Sequence, residues 1–179
     1  MHKASHVRHK EKAAGQAYTV AVITVSTSRF QKYGKCADPE RCEDESGKII
    51  TGLLKKAGHQ TTYWLLKDDA LDIETTLVEM LETADAAIVC GGTGLTPGDV
   101  TIEAVAPMFE KTIPGFGELF RTLSYEEVGT ASVLSRAAAG AMQGRAIFCI
   151  PGSPNAAKLA VSKIIVPELG HIISHIRSH

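Results

Sequence analysis

The sequence predicts an α/β fold in which a mostly parallel sheet, with a small antiparallel part, is covered by helices on both faces. Three observations predict it. Apolar runs of strand length alternate with segments carrying apolar residues at helical spacing, in the order βαβαβ. The strand runs are nearly continuous in apolar residues, as expected of strands buried on both sides. The third run ends in a glycine-rich turn, Gly91-Gly92-Thr93-Gly94-Leu95-Thr96-Pro97-Gly98-Asp99, and a helical segment follows from Thr101.

In chain order, the first strand is expected over 18–25, rich in β-branched residues, and Ser26-Thr27-Ser28-Arg29 ends it. Residues 29–45 are polar, contain Gly34 and Pro39, and read as a long loop of the kind that carries function. Ile49, Ile50, Leu53 and Leu54 place a helix over 46–56, stopped by Gly58. A second strand is expected over 61–66. Leu71, Ile73, Leu77, Val78, Met80 and Leu81 then give an amphipathic helix, preceded by Lys67-Asp68-Asp69. The third strand covers 86–90 and a helix 101–109. Residues 113–117 read as a turn and 118–125 as a helix. The runs 136–142 and 145–150 read as an antiparallel pair joined at Gln143-Gly144, against the helix propensity of the alanines. A second turn, Pro151-Gly152-Ser153-Pro154-Asn155, leads into a long apolar helix over 156–176.

With 179 residues, 44% of them hydrophobic and 22% charged, the chain suits one globular domain with a sizeable core. A net charge of −1 gives no global signal for nucleic acid. The first residues are different. Residues 1–17, with His2, Lys3, His6, Arg8, His9, Lys10 and Lys12, read as a flexible basic arm ahead of a domain over 18–179. The arm lacks the apolar run of a secretory signal or anchor, its histidines lack metal-ligand spacing, and no later segment reads as long and apolar enough to span a bilayer. A cytoplasmic protein without a membrane partner is the expectation. Of the four cysteines, Cys90 and Cys149 lie in strand runs and read as small core residues. Cys36 and Cys42 lie in the polar loop at a spacing that is not a zinc pattern. They are open between a disulfide and free thiols, which are the cytosolic default.

Ligands of parallel α/β sheets bind outside the carboxyl ends of the strands. Ser26, Asp68 and Gly91 each lie just past a strand end and should converge there. Glycines let the backbone approach a ligand with its N–H groups turned to an anion, and Asp99 can cap the next helix or hold a cation. A P-loop NTPase is a poor fit, because 91–101 has no Gly-Lys-Ser/Thr ending.

Five motifs in order carry a resemblance: Gly91-Gly92-Thr93-Gly94, Asp99-Val100-Thr101, Pro114-Gly115-Phe116, Leu134-Ser135-Arg136-Ala137 and Pro151-Gly152-Ser153-Pro154-Asn155-Ala156. Together the chain, from roughly residue 18 to 175, resembles the MoaB/MogA family of molybdenum cofactor biosynthesis, whose fold also forms the G domains of gephyrin and its plant counterpart. Residues 94–99 and 121–130 are more similar to MoaB. MogA-like members usually have an arginine directly before the acidic residue, where this chain has Gly98, one cation fewer on the phosphate side.

The resemblance implies a three-layer α/β/α molybdopterin-binding domain over 18–179, assembled as a homotrimer or a dimer of trimers. It implies adenylylation of molybdopterin by Mg-ATP, giving adenylyl-molybdopterin and pyrophosphate, with the product passed to a molybdate-inserting protein. Asp68 and Asp99 would be catalytic and hold Mg²⁺. Ser26, Gly91, Gly92, Thr93, Gly94 and Ser135 would contact phosphate or nucleotide. Gly152, Ser153 and Pro154 would line the pterin pocket. From the residues alone, several of these have a second reading. Asp99 suits an N-cap for 101–109, and Asp68 or its neighbour Asp69 a cap for the helix near 70–82. Ser153 suits an N-cap with Pro154 at the first helical position, and Arg136 pairs equally well with a substrate phosphate or a carboxylate. The alternative function is a non-catalytic molybdopterin carrier of the same pathway.

Overall fold

The computed structural model describes residues 15–178, so residues 1–14 of the expected basic arm lie outside the described residues. Six strands form one mixed sheet in the order β2-β1-β3-β6-β5-β4. β1 (Thr19–Val25), β2 (Gln60–Leu66), β3 (Ala86–Cys90) and β6 (Arg145–Ile150) are parallel. The two-residue β4 (Lys111–Thr112) and β5 (Ala138–Met142) supply the antiparallel part. The β5–β6 hairpin closes through Gln143 and Gly144, both with positive φ, as a tight hairpin requires.

The helices are α1 (Thr27–Tyr33), α2 (Glu45–Lys56), α3 (Ala70–Leu81), α4 (Thr101–Val105), α5 (Pro114–Val128), α6 (Pro154–Ala160) and α7 (Val166–Ile176). Strand side chains divide by period two between two cores. Val20, Val22, Ile88, Phe148 and Ile150 face one, and Ala21, Ile23, Val89, Ile147 and Cys149 face the other. The first core is closed by Ile50 and Leu54 of α2, Phe116 and Phe120 of α5, and the α6–α7 side chains. The second is closed by Ile73, Leu77 and Met80 of α3 and by Ala104 and Val105 of α4. Burial on both faces is why the strands read as continuous apolar runs, and it makes the three layers.

Several boundaries differ from the sequence reading. The expected loop over 29–45 holds most of helix α1, which has no fully buried residue and sets only Phe30 and Tyr33, both partly buried, against the core, too short an apolar stripe to mark a helix. The expected turn over 113–117 is the first turn of α5, which begins at Pro114, a residue suited to a first helical position, and runs to Val128. The helix expected to reach 109 ends at Val105 and tightens into a 3₁₀ turn over Ala106–Met108 containing Pro107. A second 3₁₀ stretch, Gly129–Leu134, follows α5.

The last helix is continuous from Pro154 to Ile176 but passes through a π turn at Val161–Ile165. Pro167 lies just beyond, and its missing N–H removes one ordinary helical hydrogen bond from that turn. By length and composition this helix would suffice to cross a membrane, which corrects the expectation that no such segment exists. Its apolar composition has a core explanation, since Ala157, Val161, Ile165, Leu169 and Ile173 pack in the first core.

β1 leads to β2 through α2 on one face, and β2 leads to β3 through α3 on the other. The strand order therefore reverses between β1 and β3, and a ligand crevice opens at such a reversal.

Candidate active site

A cleft of about 640 Å³ opens at that reversal, lined from the carboxyl ends of β1, β2, β3 and β6. Its floor is the glycine turn. The Gly91 N–H continues the ladder to the Ile150 carbonyl at 3.0 Å. Gly91 has φ +103°, and a Cβ there would lie 2.2 Å from the Val25 carbonyl oxygen. Gly92 has φ +61°, and a Cβ there would lie 2.5 Å from Thr101 Oγ1 and 2.7 Å from Asp68 Oδ1. Both positions demand glycine. Buried Thr101 ties the turn to α4, donating its hydroxyl to Gly91 O at 2.8 Å and its N–H to Gly92 O at 2.9 Å. The second turn touches the first: a Cβ on Gly152 would lie 3.0 Å from Gly91 Cα.

Three carboxylates line this cleft, those of Asp44, Asp68 and Asp99, and the last two are the ones the sequence singles out. Asp68 Oδ2 accepts from the Thr27 N–H at 2.9 Å and the Thr27 hydroxyl at 2.7 Å, while Oδ1 lies toward Gly92. Asp69 takes the capping role instead, accepting from the Asp72 N–H at 3.1 Å at the start of α3. Asp99 does not cap α4, whose N-cap position is Val100. Its Oδ2 accepts from the Thr96 N–H at 3.0 Å and the Thr96 hydroxyl at 2.5 Å. That hydroxyl is the main cause that holds the Asp99 carboxyl below its ordinary pKa.

Among the described residues no group of three or more His, Cys, Asp or Glu side chains is arranged to hold a metal. Two carboxylates beside a phosphate-sized backbone cradle are nonetheless the donor set that suits Mg²⁺, which takes one or two carboxylates and completes its shell with phosphate oxygens and water.

Ser26, Thr93 and Ser135 line the cleft. Ser26 also caps α1, its hydroxyl oxygen accepting from the Arg29 N–H at 3.4 Å. Arg136 resolves toward a carboxylate: its guanidinium grips Glu103 at 2.6 and 3.1 Å, and its Nε–H donates to Thr93 O at 3.0 Å. Gly152 lines the cleft, but Ser153 and Pro154 are not among its lining residues. They start α6, with Ser153 Oγ accepting from the Ala156 N–H at 3.3 Å and Pro154 in the first turn.

Residues the sequence reading missed also line the cleft, above all Arg29 and Asp44. Arg29, half-buried on α1, donates to Ser26 Oγ at 3.5 Å and Glu43 O at 3.4 Å and has no carboxylate partner among the described residues. Asp44 is buried and accepts from the Tyr63 hydroxyl at 2.8 Å. Beside it the Ser46 hydroxyl donates to Gly152 O at 2.8 Å, joining the start of α2 to the second turn. The one available signal was the polar run Asp44-Glu45-Ser46-Gly47 directly before an apolar-periodic helix.

A mostly parallel α/β sheet whose switch point carries a glycine turn, three carboxylates and an arginine without a carboxylate partner among the described residues belongs to the class that places its ligand crevice outside the carboxyl ends of its strands. Residues 21–171 match a family model described as "Probable molybdopterin binding domain". The chain is 44% identical over 173 residues to "Molybdenum cofactor biosynthesis protein B" of Bacillus subtilis, covering 94% of this chain and 95% of that protein. It is 41% identical over 176 residues to a Pyrococcus furiosus protein named "Molybdopterin adenylyltransferase", covering 96% and 98%. The crystal structure of the tungsten cofactor synthesizing protein MoaB from Pyrococcus furiosus superposes with a TM-score of 0.79 at 40% identity, covering 92% of this chain and all of that one. The chain belongs to the molybdopterin-binding domain family, on its MoaB side.

Proposed function

We propose that this protein acts in molybdenum cofactor biosynthesis by transferring the adenylyl group of ATP to molybdopterin. One observation carries the reading: Asp68 and Asp99, from two different loops, both line the cleft whose floor is the Gly91–Gly94 cradle.

The reaction joins two anions. A terminal phosphate oxygen of molybdopterin attacks the α-phosphorus of ATP, a new P–O bond forms, the bond to the β-phosphate breaks and pyrophosphate leaves. Catalysis then needs in-line positioning and charge neutralisation. The backbone N–H groups at Gly92 and Thr93 donate to phosphate oxygens, Gly91 and Gly94 let the backbone approach them closely while the Gly91 N–H stays on Ile150 O, and the hydroxyls of Ser26, Thr93 and Ser135 donate to others. Arg29 supplies a side-chain cation from the α1 wall of the cleft, where the glycine turn, with Gly98 before Asp99, brings none. Asp68 and Asp99 would hold Mg²⁺, which neutralises the polyphosphate charge and draws density from the reacting phosphorus. Thr27 and Thr96 fix the two carboxylates before the substrates arrive. Gly152 borders the pterin side, where Ser153 and Pro154 act by setting the turn through the start of α6.

The assembly proposed is a homotrimer or a dimer of trimers. Tyr125 and Val128 of α5 and Val133 and Leu134 beyond it are all more than half exposed and run up to Ser135 and Arg136 at the cleft. The product would pass to a protein that inserts molybdate. A cytoplasmic location fits soluble substrates.

Incubating the purified chain with molybdopterin and Mg-ATP should yield adenylyl-molybdopterin and pyrophosphate in equal amounts, and light scattering should give a mass that is a multiple of three chains. Tight molybdopterin binding without product would establish the carrier reading instead.

A further inference from the structure

The cysteines fall into two pairs. Cys90 and Cys149 are fully buried in β3 and β6, where burial pushes their thiols up, that of Cys149 to about 12. Cys36 and Cys42 lie between α1 and α2, both free, and their thiols converge on one atom. Cys36 Sγ donates to the Asp38 carbonyl oxygen at 3.0 Å and Cys42 Sγ to the same oxygen at 3.3 Å. Cys36 is half-buried and reachable from solvent, and Cys42 is fully buried.

Both cysteines are also anchored to β2. The Cys36 carbonyl accepts from the Leu65 N–H at 3.0 Å, and the Cys42 thiol lies 3.4 Å from the Tyr63 hydroxyl. The Cys42 thiol is raised above its usual value first by burial, and its neighbour Cys36 adds to that.

We propose that Cys36 and Cys42 form a reversible dithiol–disulfide site, with half-exposed Cys36 as the point of entry. The co-reactant is a small disulfide such as oxidised glutathione. The Cys36 thiolate attacks one sulfur of that disulfide, a mixed disulfide forms and one small thiolate leaves. The Cys42 thiol, losing its proton to that thiolate, then attacks the Cys36 sulfur and expels the second. Two protein thiols and one small disulfide become one protein disulfide and two small thiols.

The surroundings accept the oxidised form without orphaning a buried group. The Asp38 carbonyl keeps the Arg41 N–H at 3.2 Å, and the Tyr63 hydroxyl keeps Asp44 at 2.8 Å. The change is felt at the cleft, because Cys42 directly precedes Glu43, whose carbonyl holds Arg29, and Asp44, whose carboxylate shares Tyr63 with the Cys42 thiol. The site thus couples ambient thiol poise to the wall that carries Arg29 and Asp44.

The full chain is equilibrated in glutathione buffers of increasing oxidation, its thiols are counted by alkylation in denaturant, and its peptides are mapped. Two of the four thiols should disappear together, as one bond between the peptides of Cys36 and Cys42, with Cys90 and Cys149 still reduced. Dithiothreitol should restore them. Emission of Trp64, the sole tryptophan, which sits between Tyr63 and Leu65, should change with the same midpoint. Cys36→Ser should lose no thiol and show no emission change. That variant alters the half-exposed position, so the test stands even if Cys42→Ser fails to fold. Four unchanged thiols at every poise, or only a glutathione adduct on Cys36, would overturn the proposal.

Discussion

The turn over 91–101 and the segment over 26–46 wall the same cleft by opposite means. The turn works by absence of side chains. Gly91 and Gly92 sit where any Cβ would strike Val25, Thr101 or Asp68, and the turn's carboxylate, Asp99, is held by Thr96 of the same turn. The segment works by side chains that reach out of it. Thr27 holds Asp68 across 41 residues, Arg29 points to Ser26 and Glu43, Asp44 takes the Tyr63 hydroxyl, and Ser46 reaches Gly152. The turn is self-contained and keeps its shape by excluding side chains, whereas the cross-linked segment sets charge and spacing between loops. The turn should therefore be intolerant of bulk, and the segment intolerant of lost polarity.

The largest effect on the turn side is expected from Gly91→Ala. Backbone strain at a positive φ and collision with Val25 O should destabilise the protein by about 3 kcal/mol, read by urea unfolding. On the segment side, Arg29→Ala should leave stability nearly unchanged and raise the KM for a phosphorylated substrate roughly tenfold, the effect of one charge-assisted contact. Gly98 lies in open space, its nearest neighbour to a built Cβ being Thr96 Oγ1 at 4.0 Å. Gly98→Arg should fold normally and recover part of the loss in the Arg29→Ala background. No recovery would mean that the two positions do not serve the same charge.

Asp69→Ala should lower the urea midpoint slightly through the lost cap on α3 while turnover persists, separating Asp69 from its neighbour Asp68. The smallest effect concerns Asp99. Its folded pKa lies below the ordinary 3.8, so its stabilising contribution is complete above that value and is lost as pH falls through the folded one. Thr96→Val removes the main cause of the depression. Carboxyl NMR titration should place Asp99 below 3.8 in the wild type and closer to it in the variant.

The same contrast explains what was legible in the sequence. The strands buried on both faces and the glycine turn announce themselves locally, through composition and spacing. α1 has no fully buried residue and sets only Phe30 and Tyr33 against the core, so its periodic trace is too short to read and Arg29 on it goes unmarked. The choice between Asp68 and Asp69 rests on Thr27, far away in sequence, and that between phosphate and carboxylate for Arg136 rests on Glu103, 33 residues distant. Ser153 and Pro154 read correctly as a helix start, and their place relative to the cleft depends on how α6 leaves the sheet. The π turn follows from a single proline in an otherwise regular apolar pattern.

The most direct test of the account is single-turnover adenylyl transfer, with molybdopterin and Mg-ATP, by the wild type, Asp68→Ala and Asp99→Ala. Product is expected from the wild type, with a loss of at least about 10²-fold in each variant and molybdopterin binding retained. Undiminished turnover in either variant would contradict the two-carboxylate site.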